Sequence, residues 1–152
     1  MGRKIGLIAC SKSKLGAETP DRLFRAQDIY QGRTFKRAKA EGLKMYGCED
    51  WFILSGKEDY NLLDKDAQIK YYDVYLGKQG AAYKERWAKA VVGKLRQKGF
   101  DLKDDEFYIF GGSSYYEPLL PFLSNCVVFG FRGSSNILLE DPVIYRNGRR
   151  VS

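Results

Sequence analysis

Four short apolar runs constrain the fold of this chain more than any other feature of its sequence. They span residues 5–10, 51–54, 107–110 and 126–129. Each run is continuous and does not alternate between apolar and polar residues, which is typical of β-strands covered on both faces. Strands of this kind usually belong to a parallel sheet with helices on either side. We therefore expect an α/β fold in which these four runs are the central strands.

Helical periodicity fills the segments between the apolar runs. One apolar stripe begins at Phe35 and a second at Tyr83, and both have the spacing of an amphipathic helix. A short helix is expected after Gly112 and another over residues 23–30. With right-handed crossovers, this order predicts a single α/β domain over residues 1–152. The expected architecture is a Rossmann-like, three-layer fold with a mostly parallel sheet of four to five strands.

The C-terminal segment differs from the rest and predicts a β-hairpin over residues 143–151. Its centre is Asn147-Gly148, the dipeptide that favours a type I′ turn. A basic β-ribbon can lie along a nucleic-acid duplex. The hairpin therefore supplies three candidate nucleic-acid contacts, Arg146, Arg149 and Arg150.

The sequence excludes several classes of chemistry. It has no histidine, so no mechanism can use an imidazole as base, acid or metal ligand. Its three cysteines are widely spaced and form no CxxC pair, so we expect no metal site and no disulfide framework, and we predict a reducing, cytoplasmic location. No apolar run is long enough to cross a membrane, and residues 5–10 are too short for a secretory signal. Cofactor and oligomeric state are left open.

A net charge of +7 indicates an anionic partner. Nucleic acid and nucleotides come first among such partners, and a lipid surface is less favoured. Ordinary solubility charge explains the same excess equally well. Basic residues also crowd the two longer helices, where they are typical of a solvated face.

The loop after the first strand carries the clearest candidate site. Ligands of open α/β sheets bind beyond the carboxyl ends of the strands, and Ser11, Lys12, Ser13 and Lys14 follow the first run directly. Ammonium groups, hydroxyls and turn amides together suit phosphate oxygens. The GxxxxGK[ST] spacing of a Walker A loop is missing. Cys10 is either a core residue or a nucleophile whose thiolate a neighbouring lysine would favour.

Two further segments offer charged and aromatic side chains. After the second strand, Ser55 and Lys57 could face a ligand, and Glu58 could act as acid, base or sugar-hydroxyl acceptor; an ordinary charged loop is equally compatible. Residues 69–76 pack three tyrosines around the carboxylate of Asp73. Aromatic rings beside cations can stack nucleobases, although they more commonly close a small core.

The third and fourth strands are followed by glycine- and serine-rich loops. Glycines let a ligand approach the backbone, and amides at a helix start bind anions; Glu117, just beyond, is a further candidate carboxylate. A similar composition recurs over residues 132–136. We expect the four loops to form one positive cradle, to which the third contributes Gly111, Gly112, Ser113, Ser114 and Tyr115.

Several of these segments together resemble a family of small uncharacterised bacterial and phage domains that is related to the YaaA peroxide-stress proteins. The resemblance runs from residues 9–14 (ACSKSK) through 26–30 (AQDIY), 35–38 (FKRA), 51–57 (WFILSGK) and 72–73 (YD) to 111–119 (GGSSYYEPL). It implies a link to DNA binding, to protection from oxidative damage and to base modification, without a settled reaction. The resemblance points to the same loops at the carboxyl ends of the strands. Asp28 and Tyr30 are further candidate site residues that rest on the resemblance alone. Glu58 and Asp59 stand where family members carry His and Gly.

The leading hypothesis is a protein that acts on nucleic acid or on a nucleotide. The serines and lysines would hold phosphate, and the reaction would be transfer or hydrolysis at a base or its glycosidic bond. Two alternatives stay open: a non-enzymatic DNA-binding module, or a phage protein that sequesters a small anionic ligand. The candidate reacting groups are Asp73, Glu58, Glu117 and Cys10.

Overall fold

The computed structural model describes residues 2–132 and 136–152. The strands are β1 (Lys4–Ala9), β2 (Phe24–Arg25), β3 (Asp50–Leu54), β4 (Leu62–Leu63), β5 (Gln68–Ile69), β6 (Glu106–Phe110), β7 (Asn125–Arg132), β8 (Asn136–Arg146) and β9 (Arg149–Arg150). The α-helices are α1 (Ala26–Ile29), α2 (Arg33–Arg37), α3 (Leu43–Met45), α4 (Ala81–Gln97) and α5 (Ser113–Tyr116). A π-helical turn over Ala38–Gly42 joins α2 to α3, and single 3₁₀ turns occupy Leu76–Lys78 and Glu117–Leu119.

Within the described residues, seven strands form one sheet in the order β4-β3-β1-β6-β7-β8-β9. Its four central strands, β3, β1, β6 and β7, are mutually parallel, and they contain the four apolar runs. The other three strands are antiparallel to their neighbours. The sheet is therefore wider and less parallel than the expected four to five strands, because β8 folds back along β7 over most of its length.

The C-terminal hairpin is present where the Asn-Gly pair predicts it. Asn147 and Gly148 have φ values of 53° and 78°, and a type I′ turn requires positive φ at both central positions. The turn pairs β9 with the end of β8. The hairpin extends one edge of the main sheet.

The sheet is covered on both faces, as its continuous apolar strands predict. On one face Ile5 and Leu7 of β1 pack in the same buried cluster as Trp87 and Val91 of α4. On the other face Ile8 belongs to a second cluster with Phe35 of α2 and several rings. The mixed α/β class is thus confirmed, with helices on either side of one sheet.

Two helical segments depart from simple α-helix. The helix expected over residues 23–30 is only α1, because Phe24 and Arg25 pair with β5 in a small separate ribbon. In the π-helical turn, Gly42 lies against Phe110, and an added Cβ would stand 2.6 Å from the ring. Only a glycine lets the helix approach β6 this closely.

The connections between the parallel strands reverse direction at one point of the sheet. From β1 the chain passes to β3 on one side, and after α4 it returns to β6 on the other side of β1. The carboxyl ends of β1 and β6 therefore form a topological switch point, the usual ligand position of an open α/β sheet. Among the described residues, no helix is both long and apolar enough to cross a membrane.

Candidate ligand-binding cleft at the switch point

A cleft of about 390 Å³ opens at the carboxyl ends of β1 and β6, and we call it the switch cleft. Its walls come from the loop after β1, the start of α2, the loop after β6 and one residue of β7. The lining residues are Ala9, Cys10, Ser11, Lys12, Ser13, Gly32, Arg33, Thr34, Phe35, Gly111, Gly112, Tyr115 and Phe131. Of the four loops predicted to form one cradle, the loops after β1 and β6 thus meet in this cavity.

Backbone hydrogen bonds hold the loop after β1 in place. Ser13 accepts from the amide of Gln31 at 2.8 Å, and Leu15 donates to the carbonyl of Ile29 at 2.9 Å. Ser11 Oγ donates to the Ser13 carbonyl at 2.8 Å and accepts from the Gly32 amide at 3.2 Å. The Ser11 hydroxyl therefore braces the loop against the start of α2.

The start of α2 brings positive potential to the cleft. Gly32 precedes the helix without a side-chain cap, and an added Cβ there would stand 2.6 Å from Ser11 Cβ. Arg33, in the first turn, lines the cavity together with Lys12. The amino-terminal end of a helix and two cationic side chains favour an anion. Neither Gly32 nor Arg33 was among the predicted site residues, although a glycine before an apolar helical stripe is a recognisable signal.

Lys14 does not line the switch cleft. Its Nζ lies 4.7 Å from the ring centre of Tyr72, 4.9 Å from that of Tyr75 and 5.8 Å from that of Tyr71; we call these three rings the tyrosine cage. Burial lowers the pKa of Lys14, and Cys10 and Asp73 partly oppose this shift. The two lysines of the loop are thus divided between the cleft and the cage.

The carboxylate of Asp73, an exposed residue, contacts one tyrosine of the cage. Tyr75 donates a hydrogen bond to Asp73 Oδ1. The pKa of Tyr75 is raised, first by burial and then by this carboxylate. Lys12 Nζ lies 5.3 Å from the Tyr75 ring centre, so Tyr75 connects the cage to the cleft.

Cys10 is the one candidate reacting group that lines the switch cleft among the residues the structure describes. Its Sγ lies 3.2 Å from the hydroxyl of Tyr115. Burial, reinforced by Cys10, raises the pKa of Tyr115. Tyr115 therefore keeps its proton and can donate a hydrogen bond to a thiolate or to a bound ligand.

A buried chain of three hydroxyls lies behind the cage. Ser55 Oγ donates to Tyr72 at 2.7 Å, and the hydroxyls of Tyr72 and Tyr30 are 2.6 Å apart. All three residues are buried, and burial is the largest cause of the raised pKa of both tyrosines. Ser55 and Tyr30 therefore support the site from inside and do not face a ligand.

The remaining predicted residues lie outside the cleft. Glu58 pairs with Arg86 at 3.3 Å, Lys57 with Asp59 at 3.2 Å and Asp28 with Arg25 at 2.8 Å. Those ion pairs are mostly exposed. The loop after β6 is divided: Gly111, Gly112 and Tyr115 line the cleft, while Ser113 lines a neighbouring hollow, Ser114 lies beside Gly77 and Glu117 is exposed.

The basic hairpin lies on the last strands of the sheet. Arg146 pairs with Glu106 at 3.7 Å, whereas Arg149 and Arg150 are exposed. Of the loop expected from residues 132–136, residues 133–135 lie outside the described residues. Within the described part of the chain, no group of three or more acidic or cysteine side chains is arranged to hold a metal ion.

The fold and the cleft define an α/β protein with a cavity at a sheet switch point, lined by apolar and hydroxyl side chains and by two cationic ones, Lys12 and Arg33. The chain matches the model of a family described as "Family of unknown function (DUF6884)" over residues 5–128, and it belongs to that family. The matched segment begins in β1 and ends within β7, so it includes every residue of the switch cleft except Phe131. No curated protein and no solved structure matches the chain.

Proposed function

We propose that this protein binds a nucleotide or a nucleic-acid segment with a phosphate group in the switch cleft. The observation that carries the proposal is the position of the cleft, at the carboxyl ends of β1 and β6, together with its cationic lining. Lys12 and Arg33 supply charge, and Gly112 leaves its backbone open to the ligand. The net charge of +7 attracts anionic ligands to the protein as a whole.

The tyrosine cage extends this proposal to the sugar or base. One of its rings, that of Tyr75, contacts the cleft residue Lys12, and its rings already hold the ammonium group of Lys14. Rings of this kind stack nucleobases. The reaction that we propose is transfer or hydrolysis at a base or its glycosidic bond, with Cys10 or Asp73 as the nucleophile or base.

Three further expectations accompany this function. The parallel strands follow the order β3-β1-β6-β7, which supports a Rossmann-like fold of one domain. The resemblance to the YaaA-related family supports a role in DNA binding or base modification. A cytoplasmic location fits the cysteines, whose side chains form no disulfide among the described residues.

The first experiment measures ligand binding by isothermal titration with nucleoside monophosphates. Lys12→Ala should weaken binding and lessen its salt dependence, because one cation–phosphate contact is lost. Lys44→Ala is the matched control, since Lys44 is an exposed lysine of α3. Equal affinities for both variants and the parent protein would show that the switch cleft is not the phosphate site.

A second experiment separates an enzyme from a binding module. Mass spectrometry of small molecules released from the purified protein identifies a candidate substrate. With that substrate, Asp73→Asn or Cys10→Ser should abolish turnover while affinity is retained. Turnover that survives both substitutions contradicts the proposed chemistry.

The exposed arginines of β9 favour a second candidate function, which is non-enzymatic duplex binding. A basic β-ribbon contacts phosphates along a duplex. Replacement of Arg149 and Arg150 by Gln should then lower affinity for duplex DNA and reduce its salt slope, while binding of a mononucleotide stays unchanged.

A further inference from the structure

A second hollow adjoins the switch cleft on the side of β7. It has a volume of about 310 Å³ and shares two residues, Gly112 and Phe131, with the cleft. Its other walls include Tyr116, Tyr145 and Arg150. We call it the β7 hollow. The two cavities are therefore neighbours that share one glycine and one phenylalanine as lining residues.

The boundary residue Phe131 is unusually exposed for its type. The residue is 37% accessible, and an added Cβ on Gly112 would lie 3.8 Å from its ring. The pairing of β7 with β8 is irregular between Phe129 and Phe131. Bulges of this kind re-aim side chains and are common beside functional sites. Here the irregularity accompanies an aromatic ring that stands between two cavities.

The chemistry of the β7 hollow suits one nucleotide. Arg150 supplies positive charge, and the rings of Tyr116 and Tyr145, 6.1 Å apart, supply aromatic surface. Each cavity lies at the small end of the range for ligand pockets, so each accommodates a small unit. Aromatic side chains beside cationic groups are the usual means of holding successive bases of a single strand.

We propose that the ligand is single-stranded nucleic acid and that the switch cleft and the β7 hollow bind two successive nucleotides, with Phe131 between them. This inference rests on the proposed function, because the first nucleotide occupies the switch cleft. A duplex does not fit this arrangement, because its paired bases are stacked on one another and cannot reach the Phe131 ring.

The test compares a mononucleotide with a dinucleotide. Thymidine monophosphate and 5′-phosphorylated dithymidylate are titrated into the protein. The dinucleotide should bind at least about tenfold more tightly, which corresponds to stacking of one additional base.

Gly130→Leu should abolish this gain and leave mononucleotide affinity unchanged. Gly130 lines the β7 hollow but not the switch cleft, and an added Cβ meets nothing within 4 Å.

Gly93→Leu is the matched control, since Gly93 lies on α4 and an added Cβ there also meets nothing within 4 Å. Phe131→Leu is a second variant that keeps apolar bulk without an aromatic ring, and it should also lower dinucleotide affinity about tenfold. An oligothymidylate should bind more tightly than the same strand annealed to oligoadenylate.

The outcomes separate this inference from the proposed function. Binding of the mononucleotide with no gain for the dinucleotide overturns the second subsite alone. A dinucleotide gain that survives Gly130→Leu, or equal affinity for single strand and duplex, also overturns it. Failure of mononucleotide and dinucleotide alike to bind overturns the proposed function and this inference together.

Discussion

The Cys10 thiol and the Tyr115 hydroxyl lie 3.2 Å apart and join the two sides of the switch point. Cys10 follows β1, and Tyr115 belongs to α5, the helix after β6. The contact therefore places a thiol and a tyrosine hydroxyl at the same wall of the cleft. No element local in sequence could bring them together, since 105 positions separate them.

This arrangement predicts that Cys10 is the first cysteine to be alkylated in the folded protein. Burial raises the pKa of Cys48 and of Cys126 to about 12, and Cys126 is fully buried. Alkylating reagents react with the thiolate, so both of these thiols should react slowly. Limited treatment with iodoacetamide, followed by peptide mass spectrometry, measures the order. Modification of Cys48 ahead of Cys10 would contradict this view of the cleft.

Tyr72→Phe should destabilise the protein by about 1–3 kcal/mol, because it removes the buried hydrogen bonds that the Tyr72 hydroxyl makes with Ser55 and Tyr30. Tyr71→Phe is the control. Tyr71 is only half-buried and contacts Lys14 through its ring, so the substitution should change stability by less than about 0.5 kcal/mol. Urea denaturation measures both variants. Equal stability of the two would show that the hydroxyl chain contributes nothing.

Asp105 should make the protein sensitive to acid. Burial alone would raise the pKa of Asp105, but hydrogen bonds from Arg3 and from the Asp101 amide outweigh this and lower it. A carboxyl with a lowered folded pKa stabilises the fold above its unfolded pKa of about 3.9, and this contribution is lost as the pH falls through the folded value.

Asp105→Asn should therefore flatten the acid side of the stability profile, where one carboxyl changes the free energy of unfolding by up to about 1.4 kcal/mol per pH unit. Urea denaturation from neutral pH down to about pH 2 covers this range. Asp104→Asn, at an exposed neighbouring position, should leave the profile unchanged. A parallel acid loss in the parent and Asp105→Asn proteins would rule out this role.

Two adjacent glycines of the cleft should respond differently to alanine. An added Cβ on Gly111 would stand 2.6 Å from Ala9 Cβ, whereas one on Gly112 meets Phe131 at an ordinary 3.8 Å. Gly111→Ala should therefore force β1 and the loop after β6 apart and cost about 1–3 kcal/mol. Gly112→Ala should be nearly neutral. Thermal unfolding of the two variants ranks them, and the reverse order would be inconsistent with this packing.

The strands were more predictable than the helices. A strand covered on both faces needs apolar residues at every position, so the runs at residues 5–10 and 107–110 identified β1 and β6 without any knowledge of their neighbours. The helix expected over residues 23–30 was mostly wrong, because Phe24 and Arg25 pair with β5, some 40 residues away along the chain. The spacing of apolar residues within a segment carries no information about a strand partner so far along the chain.

The candidate site was predictable only in part. Ser11, Lys12 and Ser13 were found because they follow a strand in an α/β sheet, and this position alone indicates a ligand-facing loop. The direction in which the Lys14 side chain points could not be predicted in the same way. Its ammonium group turns into the tyrosine cage because rings from a distant segment provide a favourable surface for it.

The amino-acid sequence by itself determined the central strands, the hairpin turn at Asn147 and the polar loop after β1, because each depends on neighbouring residues and on the period of burial. Only the tertiary structure decided which side chains share the cleft. The contacts of Cys10 with Tyr115 and of Ser55 with Tyr72 and Tyr30 join segments that are distant along the chain. Such contacts arise from the packing of helices on the sheet, which a local sequence pattern does not encode.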